Sequence, residues 1–320
     1  MATSAITRGV LCAIGAAIAF GTTTPIVAWA GHGVGPFTTA ALLYLGASVV
    51  AAILFVAGRT TGAPLHRGDL PRLLAIAIAG AAVAPVLLAW GLQHTGATVG
   101  SLLLNLEAVF TVGLARVVFG EAIGRRVALA VVAMAAGGAA LALDLAGDAT
   151  AGPSLGLLGG LAVAVATLGW AIDNTLTLPL ASRDALHVVA AKSGLGAALT
   201  VALALIAREP LPPLGAALVL LACGATGYGI SLRLYLLAQR AIGAGRTGSV
   251  FAVAPFLGAA IAIAAGERGA TAWTAVSAAL FALGVYLHLT ERPHAAVTCP
   301  AGQRGRRADS PDARTAQRSR

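Results

Sequence analysis

Three ionisable residues, Glu107, Asp173 and Lys192, stand inside long apolar stretches of this chain. A charge at the centre of a bilayer costs about 2.5–3.5 kcal/mol on insertion scales, so each of them needs a partner or a task. Glu107 falls about ten residues, or roughly 15 Å of helix, from the nearer end of the run 97–119. At that depth it could bind a substrate amine, carry a coupling proton, or serve packing through a bond to a neighbouring helix. Asp173 and Lys192 lie roughly 10–12 Å from one boundary, in consecutive runs joined by a short turn. Antiparallel packing of those runs lets the two charges meet. The spacing fits a static ion pair, and equally a gate or proton switch that opens when a substrate or proton displaces one partner. Asn174 and Thr177 add polar groups, with Thr177 one turn from Asp173 on the same face. Asn105, on a different face from Glu107, reads as an interhelical hydrogen-bond former. Arg116 and Arg233 lie toward run ends, where they either snorkel to headgroups or bind an anionic substrate. Pro25, Pro85 and Pro255 each remove a helix hydrogen bond and mark packing kinks or hinges. Glu121 and Glu267 sit in connecting turns and read as structural.

The elements that must hold these residues follow from composition. Of 320 residues, 58% are apolar and 10% charged, too few charges to cover a water-facing surface of this size. Lipid is the expected solvent, and mean hydropathy is +0.88. Runs long enough to span ~30 Å recur near 9–29, 37–58, 70–92, 97–119 and 124–144. A second set follows near 154–178, 185–207, 214–238, 246–265 and 270–290. No strand-like alternation competes, so the expected class is an all-α membrane protein of about ten transmembrane helices. With the N-terminus inside, the cytoplasmic connections hold Arg59, Arg67, Arg72, Arg125, Arg126, Arg183, Arg240 and Arg246, against Arg208 and Arg268 outside. That places both termini in the cytoplasm and the chain in the cell (inner or plasma) membrane. Arg8, the run 9–27 and Ala28-Trp29-Ala30 imitate a cleaved secretory leader, but the segment has a counterpart later in the chain.

The net charge of +9 could suggest nucleic-acid binding, but its distribution argues otherwise. Residues 291–320 hold seven Arg in a Pro/Gly/Ser-bearing stretch without apolar periodicity, which reads as a disordered cytoplasmic tail near anionic headgroups and not as a nucleic-acid surface. Cys12, Cys223 and Cys299 are too scattered for a disulfide framework or a metal site.

The halves resemble each other. Gly21 finds Gly169 148 positions later, the same offset carries Gly100-Ser101 onto Gly248-Ser249, and after a small gap Gly120-Glu121 falls on Gly266-Glu267. Five helices per half, an odd number, insert the second copy upside down. The expected domains are therefore 1–146 and 147–290 as two inverted five-helix repeats, followed by the tail 291–320. Such repeats are a transporter architecture with a site near midplane.

Several strings carry a family resemblance. The first half has Phe20-Gly21 with Pro25, Leu42-Leu43-Tyr44-Leu45-Gly46, Ala84-Pro85-Val86, and Ser101 to Thr111 running on to Phe119-Gly120-Glu121. The second has Trp170-Ala171-Ile172-Asp173-Asn174, Lys192, Gly227-Tyr228-Gly229, Gly243 to Gly248, Ala254-Pro255-Phe256 and Gly266-Glu267. In this order, across all ten runs, the chain resembles the EamA-type permeases of the drug/metabolite transporter superfamily. The resemblance implies a secondary carrier, usually an exporter of amino acids, metabolites or drugs driven by a proton or other ion gradient, with no cofactor. Arg116 and Ala28 depart from the usual residues at their positions. Uptake carrier and lipid-intermediate flippase are the alternatives within transport, and a non-transporting scaffold or sensor is the alternative outside it. No enzyme motif is present, so no catalytic residue is expected. The expected partners are the bilayer and a small-molecule substrate, and a homodimer is compatible with the pattern.

Overall fold

The computed structural model describes residues 2–58, 62–120, 122–147, 153–180, 182–267 and 271–290. Arg59, Glu121, Asp148, Arg268, Cys299 and the whole basic tail lie outside those residues.

Among the described residues the fold is helical, with a single bridge pairing Ala63 and Arg183 in place of any sheet. The first span is bent: α1 (Ala2–Gly21) gives way at Thr22 to α2 (Thr23–Ala30). Pro25 lies four residues past Gly21 and has no N–H to offer that carbonyl. Next come α3 (Pro36–Val56), α4 (Leu70–Ile76) and a π-helical stretch Ala77–Val83, which leads into α5 (Ala84–Leu103). A break at Leu104-Asn105 separates α5 from α6 (Leu106–Phe119), and α7 (Arg125–Gly147) follows. The second part runs α8 (Pro153–Thr177), α9 (Ala185–Ile206), α10 (Leu214–Cys223), a second π-helical stretch Gly224–Ile230, and α11 (Ser231–Ile242). It ends with α12 (Ala244–Phe251), α13 (Ala254–Ala264) and α14 (Ala272–Leu289). Pro255 stands four residues after Phe251, where α12 stops, so two of the three prolines coincide with a gap between helices.

Nine runs among the described residues are long and apolar enough to cross a membrane. One of them, Arg67–Leu103, has 37 residues. Straight, it would measure about 55 Å against a ~30 Å hydrocarbon core. It turns at Gly96, whose φ of 79° and ψ of 171° are open only to glycine. Beyond that turn the chain enters the expected run 97–119, which the break at Leu104-Asn105 divides into pieces individually too short to count. Gly96→Ala is expected to cost about 1–3 kcal/mol, read as an earlier thermal transition of the detergent-purified protein; an unchanged transition would show that the turn tolerates a side chain.

The main packing partners in the bundle come from different halves of the sequence: α1 packs on α11, α3 on α9 and on the second π stretch, α5 on α8, and α7 on α14. The α7–α14 pair is stitched by Asp144, which accepts from Thr271 Oγ1 at 2.6 Å and Thr274 Oγ1 at 3.0 Å, and by Ser277 Oγ donating to the Gly137 carbonyl at 2.8 Å. The perimeter is apolar. Val117 and Ile206 are 83% and 77% exposed, which is costly in water and natural against lipid tails.

The irregularities recur along the chain. The π stretch at 77–83 returns at 224–230. The Gly96 backbone conformation returns at Gly243, with φ 85° and ψ 158°, and the positive φ of Gly120 returns at Gly266.

Candidate functional site

Three helical positions on α8 build one wall. Trp170, Asp173 and Asn174 sit three and four residues apart, on one face. Facing them, α9 supplies Lys192, whose Nζ donates to Asp173 Oδ2. The pair is dry: Asp173 is 2% and Lys192 7% exposed. Thr177 Oγ1 donates to the other carboxylate oxygen at 3.3 Å, as its placement one turn away suggested.

The floor is made by the first π stretch. In a π turn the carbonyl of residue i waits for the N–H of residue i+5, and the Ala84 N–H indeed reaches the Ala79 carbonyl. The next donor in that register is Pro85, which has none. The Gly80 carbonyl is thereby left for side chains, and it accepts from Tyr44 Oη at 2.6 Å and Trp170 Nε1 at 3.0 Å. Gly80 has no room for a side chain, because a Cβ there would come within 2.2 Å of Asp173 Oδ2. Pro85 therefore locks α3, the π stretch and α8 together beside the ion pair.

Glu107 comes from α6. Asn174 Nδ2 donates to Glu107 Oε1 at 2.6 Å. Glu107 is partly exposed, and what it is exposed to is a cavity. The cavity holds about 590 Å³ of atom-free space, part of it continuous with solvent. Glu107, Asp173, Asn174 and Lys192 line it together with six aromatic rings. Those rings form a connected wall. Phe20 lies 6.2 Å from Trp170, 6.1 Å from Tyr228 and 5.4 Å from Phe251, between ring centroids. Tyr44 adjoins Tyr228 at 5.4 Å and Tyr235 adjoins Phe251 at 5.0 Å. Edge-on and tilted contacts of this kind keep the rings ordered.

Four of the expected site residues, Glu107, Asp173, Asn174 and Lys192, thus share one cavity, and Thr177 supports it from behind. A second cavity is lined by Thr177, Leu180, Arg183, Leu236 and Arg240 among others, residues that follow those of the first cavity along α8 and α11. Asn105 departs from expectation. Its amide donates to the Leu102 carbonyl at 2.9 Å, within its own segment, where at the break that carbonyl also accepts from the Asn105 backbone N–H at 3.1 Å. Arg116 is exposed and donates to the Gly120 carbonyl at 3.3 Å, Arg233 is half-buried, and neither lines the cavity. The aromatic wall and Gly80 join the site without having been expected from the sequence. The available signal was scarcity: the chain has four Tyr, and three of them face this one cavity.

Carboxylates also clasp the ends of the bundle. Glu209, in the connection after α9, accepts from the N–H groups of Phe37 at 3.2 Å and Thr38 at 2.7 Å, at the start of α3. Glu267 accepts from Ala97 N at 2.6 Å and Thr98 N at 2.7 Å, just past the Gly96 turn. At another connection Asp184 accepts from Gly62 N at 2.7 Å, and Arg183 pairs with Asp69 at 3.0 Å. Each contact spans more than a hundred residues of sequence; Glu209 meets the N-terminus of α3, and Asp184 in addition caps its own helix α9 by accepting from Leu186 N at 2.8 Å.

Comparison with known proteins gives a consistent picture. The chain is 27% identical over 228 residues to an uncharacterized transporter from Methanothermobacter thermautotrophicus, a match covering 70% of this chain and 66% of that protein. The chain thus matches just under two thirds of that relative's length. A protein of known crystal structure, 18% identical, superposes with a TM-score of 0.64 over 87% of this chain and 94% of the other, a likeness of fold. Residues 7–143 match the EamA-like transporter family, the stretch that supplies Phe20, Tyr44, Gly80, Pro85 and Glu107. Over those residues the chain is similar to the EamA-like transporter family, and the helical bundle brings polar groups from both halves of the chain to one cavity.

Proposed function

We propose that the protein is a secondary active carrier that exports a small molecule by alternating access, with proton exchange at Glu107 as the coupling step. In this reading the two five-helix halves are inverted repeats, both termini are cytoplasmic, and the second cavity is the vestibule on the cytoplasmic side. The observation that carries it is the position of Glu107: a carboxylate near the middle of the bundle, partly exposed to a cavity lined from both halves of the chain. Such a group inside a membrane is costly unless it meets something that passes. The recurring π stretches and glycine turns support two related halves able to exchange roles. Breaks beside Pro25 and Pro255 supply places for each half to bend. The Asp173–Lys192 pair serves as a gate that holds the cavity floor until the bound species changes.

The reading is tested in proteoliposomes loaded with a panel of amines, amino acids and nucleosides under an imposed pH gradient. Saturable flux of at least one solute, accelerated when the opposite compartment is acid and lost when the gradient is collapsed, is the expected result. Flux indifferent to the gradient removes proton coupling, and no saturable flux of any solute removes the carrier reading.

A further inference from the structure

We infer that the cavity selects a monovalent organic cation with a flat apolar body, a primary or quaternary amine attached to a ring, and rejects the corresponding acid and zwitterion. The assignment rests on the carrier reading above and adds the chemical class of what is carried.

The charge balance comes first. The ionisable groups lining the cavity include two carboxylates, Glu107 and Asp173, and one ammonium, Lys192. Lys192 is committed to Asp173. Glu107 receives a hydrogen bond from Asn174, which is neutral, and the charged groups that line the cavity with it are Asp173 and Lys192. With all three ionised the lining carries one net negative charge, and the carboxylate that holds it is the one exposed to the cavity. A cation entering the cavity restores neutrality, whereas an anion would add repulsion in a low-dielectric space.

The walls add the second half of the argument. Six rings, from Phe20, Tyr44, Trp170, Tyr228, Tyr235 and Phe251, line the same space, and Tyr235 lies within electrostatic range of Glu107. Ring faces attract a cation within about 6 Å and attract a planar apolar body by stacking. They offer nothing to a carboxylate. A zwitterionic amino acid would satisfy Glu107 with its ammonium, but its own carboxylate would have to take Lys192 from Asp173, leaving that aspartate buried and unmatched. The same cavity therefore discriminates between an amine and the amino acid built on it.

The test uses four probes that share one ring: phenethylamine, benzyltrimethylammonium, phenylalanine and phenylacetate. Each is titrated calorimetrically into the full-length protein in detergent micelles or nanodiscs. The two cations are expected to bind, and the zwitterion and the acid to bind weaker by roughly tenfold or more, the scale set by a mismatched buried charge. Benzyltrimethylammonium, which has no N–H, isolates charge and ring contact from hydrogen bonding. Phe251→Leu, which removes a ring without touching any charge, is expected to weaken that ligand by about two- to fivefold. Phenylalanine or phenylacetate binding as tightly as phenethylamine would overturn the assignment, as would no binding by either cation. Because binding in nanodiscs needs no gradient, a protein that binds neither cation but gives saturable flux of another solute loses this assignment and keeps the carrier reading. One that binds the cations but never moves any solute keeps the assignment and loses the carrier reading.

Discussion

Lys192→Met is expected to destabilise the protein by about 3–5 kcal/mol, the usual cost of removing one member of a buried ion pair. The reason is what remains. Asp173 would keep the Thr177 hydroxyl at 3.3 Å but lose its ammonium, in a position 2% exposed and walled by Gly80. Asp173→Asn should be costly for the mirrored reason, since it strands the Lys192 ammonium. The double variant Asp173→Asn/Lys192→Met removes both desolvation penalties together and should recover most of the loss, a coupling between neighbours that a double-mutant cycle isolates. Thermal unfolding of detergent-purified variants, followed by intrinsic fluorescence, supplies all four corners of the cycle. Since a folded protein commands only about 5–15 kcal/mol in total, the single variants should also express poorly. Single variants as stable as the parent would show that the pair contributes nothing to the fold. Flux adds a separate readout: a double variant that folds well yet transports at the parental rate would remove the gate from the proposed mechanism.

The second large effect is expected at Glu107. Glu107→Gln preserves shape and leaves Asn174 an amide oxygen to donate to, so the fold should be retained. Cation binding should fall by roughly 30-fold or more, the equivalent of losing a charged contact worth about 2–5 kcal/mol. The pH dependence follows from the same exchange. Protonation neutralises Glu107 and competes with the cation, so affinity should decline as pH is lowered and be restored as it is raised. The groups that face Glu107 are Asp173, Lys192 and Tyr235, with neutral Asn174 in direct contact. In the Gln variant the profile should be flat over the range where the parent changes. A variant that keeps the parental pH profile would place the coupling proton elsewhere, with Asp173 the next group to try.

Asp173 and Lys192 were legible as a pair because their runs are consecutive and joined by a short turn, which leaves few ways for two charges at equal depth to miss each other. Thr177 was legible for a similar reason, being one turn away on the same helix. Glu107 was legible as a site residue but its partner was not. Asn174 lies 67 positions away, on a helix whose rotation no local pattern reveals. Asn105 reads from the sequence as bonding across to another helix, whereas its amide bonds the Leu102 carbonyl at the break Leu104-Asn105, which no local pattern marks. Pro85 reads from the sequence as a packing kink or hinge, yet its larger consequence is chemical: it denies the Gly80 carbonyl a backbone donor and hands that carbonyl to Tyr44 and Trp170.

Partition into lipid is a local and nearly additive property of composition, so the class of fold, the placing of the apolar runs and the rarity of charges within them could be settled from residue order alone. The cavity could not. Its six rings and three charges come from elements spread between Phe20 and Phe251, and two π turns rotate the helical faces away from a regular 3.6-residue count. Which polar groups share a space depends on how helices far apart in the chain rotate and pack against one another. That is fixed by close approach at places such as Gly80, where a single methyl group would displace the Asp173 carboxylate.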